Sequence, residues 1–254
     1  MGKIVAIVNQ KGGVGKTTSA VNLAAALGAL DKNVLLCDID PQGNATSGFG
    51  VNKRALQNSS YEVIIGGKAA RETVLRTQFR NVYLLPSTMT LAGAELELVD
   101  LERRESRLKD ALAPIRDVFD YILLDCPPSL GLLTLSGLCA ADTYLVPIQC
   151  EFYALEGLSQ LSSTVRKAKQ LYNPLLELEG VLLTMYDSRL NLTAQVVEEI
   201  KKFFPRKVYS SVIPRNVRLS EAPSFGQPVL YYDPASTGSR AYDTFAREFL
   251  SQQL

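Results

Sequence analysis

The chain has 254 residues, of which 46% are hydrophobic and 21% charged, and its formal net charge is +1. This composition is ordinary for a soluble globular protein with a large core. The sequence contains no histidine, which excludes Ser-His-Asp and Cys-His catalysis and every His-ligated metal site. Its four cysteines are far apart without CxxC spacing, so we expect buried free thiols. No signal peptide and no run of about 18 apolar residues is recognisable, so we expect a cytoplasmic protein.

The first predicted element is a buried strand at Ile4–Val8, which breaks into a glycine-rich loop and then an Ala/Leu-rich helix over Ser19–Leu30. A loop between a strand and a helix places its amides at the helix N-terminus, where partial positive charge favours a polyphosphate. Glycines in such a loop let the backbone wrap the phosphates closely. We expect Lys16 to reach the β- and γ-phosphates and the Thr17 hydroxyl to ligate Mg²⁺.

Two further apolar strands end in carboxylates. The strand at Val34–Asp40 carries Asp38 and Asp40 at its end, and the strand at Asp120–Asp125 ends in Asp125. In open α/β sheets, ligands bind beyond the carboxyl ends of the strands, so we expect these acids beside the loop. Asp125 has the form of a Walker B aspartate, which holds Mg²⁺ directly or through water. An acid that ends a strand is also common in purely structural positions, and the phosphate loop in the same chain favours the functional interpretation.

Strands and helices alternate through the rest of the chain, and the strands are continuously apolar. This pattern predicts a doubly wound, mostly parallel sheet flanked by helices on both faces, in a single domain over residues 1–254. Residues 41–50 are predicted as a loop, and the remaining strands at Asn81–Leu85, Thr143–Ile148, Gly180–Met185 and Val208–Ile213. The remaining helices are predicted at Tyr61–Ile65, Arg71–Leu75, Leu91–Leu112, Leu130–Cys139, Tyr153–Leu171, Leu192–Phe203 and Ser236–Leu254.

The glycine-rich loop departs from the generic phosphate-loop pattern. Gln10 stands where that pattern has glycine, and a second lysine, Lys11, lies inside the loop. The chain thereby resembles the deviant Walker A ATPases, which include the ParA/Soj partition proteins, MinD and the nitrogenase iron protein. The resemblance implies a P-loop ATPase in which Lys11 reaches across a dimer to the partner's nucleotide. A nitrogenase-like cluster would need a cysteine several residues past the Walker B aspartate, and residues 130–132 read Leu-Gly-Leu there instead.

Two other segments resemble the switch regions of these ATPases. Residues 38–44 read Asp-Ile-Asp-Pro-Gln-Gly-Asn and are similar to switch I, while residues 125–129 read Asp-Cys-Pro-Pro-Ser and are similar to switch II. The resemblance implies that Asp40 orients the attacking water and that Asp38 supports the switch and Mg²⁺ geometry. The catalytic residues it implies are Lys11, Lys16 and Asp40, the two lysines supplying positive charge at the γ-phosphate.

Residues 149–158 and 213–223 resemble the ParA/Soj branch specifically. That branch implies an ATP- and Mg²⁺-dependent ATPase that forms a homodimer on ATP binding and then binds double-stranded DNA nonspecifically, on the nucleoid. It also implies stimulation of hydrolysis by a ParB-type centromere-binding protein, and no membrane partner. The implied DNA-contacting residues are Arg189 and Arg218, and the implied metal ligands are Thr17, Asp38 and Asp125. The implied nucleotide-binding residues are Lys11, Gly12, Gly13, Val14, Gly15, Lys16, Thr17, Thr18, Pro214 and Asn216.

Other interpretations share the same loop. A MinD-like membrane-cycling ATPase would end in a basic amphipathic helix, whereas the last predicted helix here has an apolar face and balanced charges, so we expect it to dock on the body. A ParA-like positioner of another cargo has the same mechanism, and a small-molecule kinase leaves Lys11 without an evident task. Residues 165–218 contain ten Lys/Arg against five Asp/Glu, which fits a nucleic-acid footprint or a set of solvated helix faces equally.

Overall fold

The apolar runs of the sequence form one sheet. The computed structural model describes residues 2–151 and 154–253, and within these residues eight strands are hydrogen-bonded side by side. In chain order the strands are β1 (Lys3–Ile7), β2 (Val34–Asp38), β3 (Leu75–Arg76), β4 (Val82–Leu85), β5 (Tyr121–Asp125), β6 (Thr143–Gln149), β7 (Glu177–Tyr186) and β8 (Val208–Pro214).

Across the sheet, the strand order is β3-β4-β2-β5-β1-β6-β7-β8. Neighbouring strands of the described chain are parallel except for β3 and β4, which are antiparallel. The predicted doubly wound, mostly parallel sheet is thus confirmed. Because β5 lies between β2 and β1, Asp38 and Ile7 are both level with Asp125. The ends of the three central strands therefore meet at one edge, where ligands bind in sheets of this kind.

Helices cover both faces of this sheet, as continuously buried strands require. The α-helices of the described chain are α1 (Lys16–Ala29), α2 (Asn44–Gly48), α3 (Ser60–Ile64), α4 (Leu91–Leu98), α5 (Arg107–Leu112), α6 (Leu132–Ala140), α7 (Ala154–Leu171), α8 (Asn191–Phe203), α9 (Val217–Glu221), α10 (Val229–Tyr232) and α11 (Thr237–Ser251).

The side chains of β1 alternate between two hydrophobic cores. Ile4 and Ala6 lie in the core that α3 to α8 cover, and Val5 and Ile7 lie in the core that α1 and α11 cover. All four side chains are buried, which explains why the strand reads as an unbroken apolar run. The loop after β1 is therefore anchored by packing on both faces of the sheet.

Three elements differ from the expectation. The helix predicted over residues 91–112 is broken into α4 and α5, and Arg103 between them has a left-handed backbone (φ 51°). The helix predicted at Arg71–Leu75 is wrong, because a 3₁₀ turn at Ala70–Glu72 leads into β3, whose pairing with β4 is a tertiary contact that overrides local propensity. The loop predicted over residues 41–50 contains α2. The predicted start of α7 at Tyr153 lies outside the described residues.

Candidate functional site

The loop between β1 and α1 presents main-chain groups at a helix N-terminus. Gly15 directly precedes α1 and has a left-handed backbone (φ 86°, ψ 23°), which glycine adopts without strain. The helix begins at Lys16, earlier than predicted, so Lys16 and Thr17 belong to its first turn. The first amides of a helix have no carbonyl partner within it and carry partial positive charge. This geometry suits a phosphate group.

The Lys16 side chain brings a buried positive charge to the loop. It is 6% exposed, and its ammonium group donates a hydrogen bond of 3.0 Å to the Lys11 carbonyl oxygen. Burial lowers the pKa of Lys16, while the negative charges of Asp125 and Asp40 act in the opposite direction. Both carboxylates are therefore near enough to Lys16 to interact with its charge, and the three residues form one electrostatic cluster.

Asp125 is a buried carboxylate whose charge is only partly offset by Lys16. Neither of its oxygens accepts a hydrogen bond from the residues that the structure describes. Burial, and after it the charge of Asp38, raises the pKa of Asp125 well above its usual value. The Thr17 hydroxyl lies near the carboxylate and opposes part of this rise, although its geometry falls short of a hydrogen bond. A cation beside Asp125 would compensate the charge, since buried carboxylates are normally paired or bind metals.

Asp38 differs from Asp125 because its oxygens are occupied. Its Oδ2 accepts hydrogen bonds from the amide (2.8 Å) and the hydroxyl (2.7 Å) of Thr46, and its Oδ1 accepts one from the Asp40 amide at 3.2 Å. Burial raises the pKa of Asp38 to about 6, and these hydrogen bonds limit the rise. Asp38 thus connects the end of β2 to α2 through Thr46.

The oxygens at Thr17 and Asp125 form a donor set that fits Mg²⁺. This ion is usually held by one or two protein oxygens, with phosphate oxygens and waters completing an octahedron. Within residues 2–151 and 154–253, no group of three or more His, Cys, Asp or Glu side chains is arranged as a metal site. A magnesium ion here would therefore be shared between Thr17, Asp125 and a bound phosphate.

Asp40 opens the tight turn between β2 and α2. It is largely buried, its Oδ1 accepts a hydrogen bond of 2.9 Å from the Gln42 amide, and its carbonyl oxygen accepts one of 2.9 Å from the Gly43 amide. From the other side, the Lys53 ammonium donates to the Gln42 carbonyl oxygen at 2.7 Å. These bonds fix the Asp40 carboxylate beside the phosphate loop. No sequence pattern indicates this contact of Lys53, because the turn that it stabilises forms only in the folded chain.

Lys11 makes an ion pair within its own chain. Its ammonium nitrogen lies 2.7 Å from Oε2 of Glu151, and the Gln149 side-chain amide donates to Oε1 of the same carboxylate. The Lys11 main chain is also fixed, because its amide donates to Asn9 Oδ1 at 3.0 Å. The second lysine of the loop is thus held toward the end of β6. The sequence analysis gave Glu151 no role, although the residue lies in a recognised segment.

A cavity of about 380 Å³ lies beside the phosphate loop. Thr18, Pro214 and Asn216 lie together in its wall, although Thr18 is far from the other two in sequence. Two residues that the sequence analysis missed also contribute, namely Thr184 and Tyr242. The Thr184 hydroxyl donates to the Val14 carbonyl oxygen at 2.8 Å, which attaches the loop to β7. The volume and position of this cavity suit the nucleoside part of a nucleotide.

The segment that borders this cavity also contacts the chain just after α2. Gly50 and Gly226 both have left-handed backbones, with φ 74° and 63°. Their main chains are so close that a Cβ atom on Gly226 would lie 2.4 Å from the Gly50 Cα. Side chains at these two positions are therefore excluded by contact as well as by conformation.

Arg189 and Arg218 lie on exposed segments beyond the ends of β7 and β8. These two strands are neighbours in the sheet, and Tyr186 at the end of β7 is level with Pro214 at the end of β8. Each arginine is already paired: Arg189 with Asp187 at 2.6 Å, and Arg218 with Glu221 at 2.7 Å and with Asp233 at 3.2 Å. Hydrogen bonds from Arg189 are the main reason why the pKa of Asp187 is lowered to about 2.

Arg215 is a third arginine at this edge, and the sequence analysis did not single it out. It forms no ion pair with any described residue, although its charge also helps to lower the pKa of Asp187. The edge formed by the ends of β7 and β8 therefore presents three arginines, of which Arg215 keeps its charge unpaired.

Comparison with known proteins agrees with this geometry. A family profile described as an AAA domain matches residues 2–178. The sporulation initiation inhibitor protein Soj of Bacillus subtilis is 55% identical over 98% of this chain and 98% of that protein. The chromosome partitioning protein ParA of Myxococcus xanthus is 51% identical over 99% of this chain and 89% of that protein. The chain belongs to the ParA/Soj family.

Solved structures share the fold of this ParA/Soj family member. A cobyrinic acid a,c-diamide synthase from Mycobacterium smegmatis, solved with an ATP analogue and magnesium, is 38% identical with a TM-score of 0.87 and covers 100% of this chain and 96% of its own. The cell division ATPase MinD of Pyrococcus furiosus is 28% identical with a TM-score of 0.81, over 99% of this chain and 100% of its own. Soj and ParA thus share far more of the sequence with this chain than MinD does.

In this ParA/Soj family member, the last helix is docked on the body, as predicted. Tyr242, Phe245 and Phe249 of α11 are buried in the core that α1 also covers. The charges on the outer side are balanced, since Arg247 pairs with Asp243 at 3.0 Å. Among the described helices, none has the length and hydrophobicity needed to cross a bilayer.

Proposed function

We propose that this chain is an ATP- and Mg²⁺-dependent DNA-partitioning ATPase that acts as one domain over residues 1–254. The observation that carries the ATPase is Asp125, a buried carboxylate to which no described residue donates, beside Lys16 and Thr17 at a helix N-terminus. Such a cluster is best stabilised when a cation and a phosphate chain occupy it. The partition proteins at 55% and 51% identity, and the relative solved with an ATP analogue and magnesium, support this assignment.

Each part of the site has a task in this proposal. The amides of residues 12–18 and the Lys16 ammonium bind the phosphates, and Thr17 and Asp125 hold the metal. Magnesium, when bound, neutralises charge on the β- and γ-phosphate oxygens. Asp40, fixed by the Gln42 amide, orients the attacking water, and positioning of this kind is the main contribution of a protein to phosphoryl transfer.

The proposal assigns Lys11 to the partner's nucleotide in an ATP-bound homodimer. Within one chain, its ammonium group is directed to Glu151 and not to the phosphate loop of the same chain. When two chains dimerise, the Lys11 ammonium group therefore has to leave Glu151 and bind the phosphate oxygens of the partner's nucleotide. The pair is partly exposed, so its loss is inexpensive and phosphate oxygens can replace the carboxylate.

The proposed DNA surface is the edge that carries Arg189, Arg215 and Arg218. Phosphate contacts of arginines carry no sequence information, so binding would be nonspecific and strongly dependent on salt. Two chains side by side double the number of such contacts, which makes ATP-dependent dimerisation a prerequisite for tight binding. In this scheme the dimer is on the nucleoid, and a ParB-type centromere-binding protein stimulates hydrolysis and release.

The MinD-like alternative is disfavoured by α11. A membrane-binding helix needs a free apolar face and a basic polar face. Here the apolar side chains Tyr242, Phe245 and Phe249 are buried in the body, and the helix carries two basic and two acidic residues, so its polar face is not basic. A ParA-like positioner of another cargo would use the same site and the same DNA surface.

Co-sedimentation tests this assignment directly. The purified chain with Mg²⁺ and ATP, ADP or no nucleotide is sedimented with plain DNA and with anionic liposomes, and phosphate release is measured with and without EDTA. We expect sedimentation with DNA in the ATP sample alone, phosphate release that EDTA abolishes, and loss of both in Lys16→Ala. Binding to liposomes, or equal binding to DNA without ATP, would contradict the proposal.

A further inference from the structure

A long groove lies at the β3 edge of the sheet, away from the phosphate loop. It consists of two cavities, of about 510 Å³ and about 300 Å³, which share Arg71 and Ile115 in their walls. The strands β4, β2 and β5 separate β3 from the strand that leads into the phosphate loop, and the arginine edge at β7 and β8 is at the opposite end of the sheet. The floor is apolar and includes Val63, Ile115 and Val118.

The rim of the groove is positively charged. It carries Lys68, Arg71, Arg76 and Arg107, against the single acid Asp110. That acid is already neutralised by an arginine outside the groove, Arg103, at 3.0 Å.

The four cations of the rim keep their charges. Arg71 and Arg76 are exposed and form no ion pair with any described residue. The Arg107 guanidinium donates to the carbonyl oxygens of Ile64 and Ile65, and the Lys68 ammonium donates to the Asn58 side-chain oxygen at 2.9 Å. These partners are uncharged, so the groove combines an apolar floor with a net positive rim.

The groove runs beside an unpaired strand edge. β3 is the last strand of the sheet in the described chain, and it pairs on one side only, with Leu75 level with Leu84 and Arg76 level with Tyr83. An open edge of this kind can accept an extended segment of another chain through main-chain hydrogen bonds, and the neighbouring pockets then select its side chains. The positive charge of the rim favours acidic side chains in such a segment, and the apolar floor favours apolar ones.

We infer that this groove is a docking site for an extended segment of a partner protein in which acidic and apolar residues alternate. Successive side chains of an extended segment point to opposite sides. The apolar side chains of such a segment would therefore contact the floor at Ile115 and Val118, and its acidic side chains would reach the rim at Arg71 and Arg76. The site is separate from the nucleotide and from the proposed DNA surface. A partner could therefore remain bound through the whole ATPase cycle.

The probe for this inference is a fluorescent peptide of alternating glutamate and valine, compared with a peptide of alternating lysine and valine. Binding to the full chain is measured by fluorescence anisotropy. We expect the acidic peptide alone to bind. The double variant Arg71→Glu/Arg76→Glu should weaken binding roughly tenfold or more, since each reversal replaces an attraction by a repulsion. Val118→Asp should also weaken it, and Val118 is exposed enough for the chain to remain folded.

Arg54→Glu is the matched control, because Arg54 is exposed, forms no ion pair with a described residue and lies outside the groove. It should bind the acidic peptide like the unmodified chain, and circular dichroism should show the same fold for all variants. Equal affinity for both peptides, no binding of the acidic peptide, or binding that the groove variants do not change would overturn the inference. Self-association that Arg71→Glu/Arg76→Glu abolishes would assign the groove to a second copy of the chain instead.

Discussion

Replacing Asp125 by asparagine should stabilise the nucleotide-free chain and abolish ATP hydrolysis. The native carboxylate is buried without a hydrogen-bond donor among the described residues, and burial together with the charge of Asp38 raises its pKa. An unsatisfied buried polar group costs about 1–3 kcal/mol, and a charged one more. Asparagine has nearly the same shape and remains unsatisfied but carries no charge, so only the additional cost of the charge is removed, and we expect the free energy of unfolding to rise by about 1 kcal/mol at a pH above the folded-state pKa.

The gain should depend on pH in a defined direction. The pKa of Asp125 is higher in the folded chain than in the unfolded chain, so the folded state binds the proton more tightly. The native chain is therefore relatively stable at low pH and loses stability as pH rises through the folded-state pKa. The advantage of Asp125→Asn should be full above that pKa and should disappear as pH falls toward about 4, the pKa of an unfolded aspartate.

Urea unfolding in the presence of EDTA measures this difference, and Asp100→Asn is the matched control because Asp100 is exposed. The control should change the free energy of unfolding by less than about 0.5 kcal/mol. Mg²⁺ and ATP should stabilise the native chain more than Asp125→Asn, since ligand stabilisation follows affinity. If Asp125→Asn unfolds at lower urea than the native chain without nucleotide, the carboxylate is not the unsatisfied metal ligand described above.

Other substitutions separate the steps of the cycle. Lys11→Ala should still bind ATP through Lys16 and the loop amides but remain monomeric in sizing chromatography with ATP, and a normal dimer would refute a role across the interface. Asp40→Ala should dimerise with ATP, stay on DNA and release no phosphate, whereas loss of nucleotide binding would make Asp40 structural. Arg189→Glu and Arg218→Glu should each abolish DNA binding without changing the dimer, since neither residue lines the cavity beside the phosphate loop. For the native dimer, four to six phosphate contacts predict a slope of roughly −4 to −5 in log K against log salt, and a flat dependence would exclude this surface.

The sequence predicts the phosphate loop well, because its residues are consecutive and their geometry is set by one strand, one turn and one helix. The meeting of Asp38 and Asp125 was also predictable, since parallel strands bring their carboxyl ends to one edge. Sequence patterns did not predict the pair of Lys11 with Glu151 or the contribution of Tyr242 to the cavity wall. Both depend on contacts between residues more than 100 positions apart, and periodicity reports only neighbours along the chain.

The incorrect prediction of a helix in place of β3 also results from contacts that local sequence patterns do not report. Its residues favour a helix locally, and only the hydrogen bonds to β4 make them a strand. α2 was predicted as a loop, because Gly43 and Asn44 usually mark turns. The hydrogen bonds that Thr46 donates to Asp38 stabilise its helical turn, and they depend on the position of β2.

At Gly50 and Gly226, two main chains touch without a side chain between them. Side chains absorb small displacements by changing rotamer, and here none is present to do so. A displacement of the segment that borders the cavity therefore acts directly on the chain at the end of α2, a helix that begins four residues after Asp40. Under the proposed function, the base and ribose of ATP would then affect the position of Asp40 as well as the affinity for the nucleotide. Tripolyphosphate, which lacks them, should protect residues 40–50 from hydrogen exchange less than ATP does, and equal protection would show that the phosphates alone set the turn.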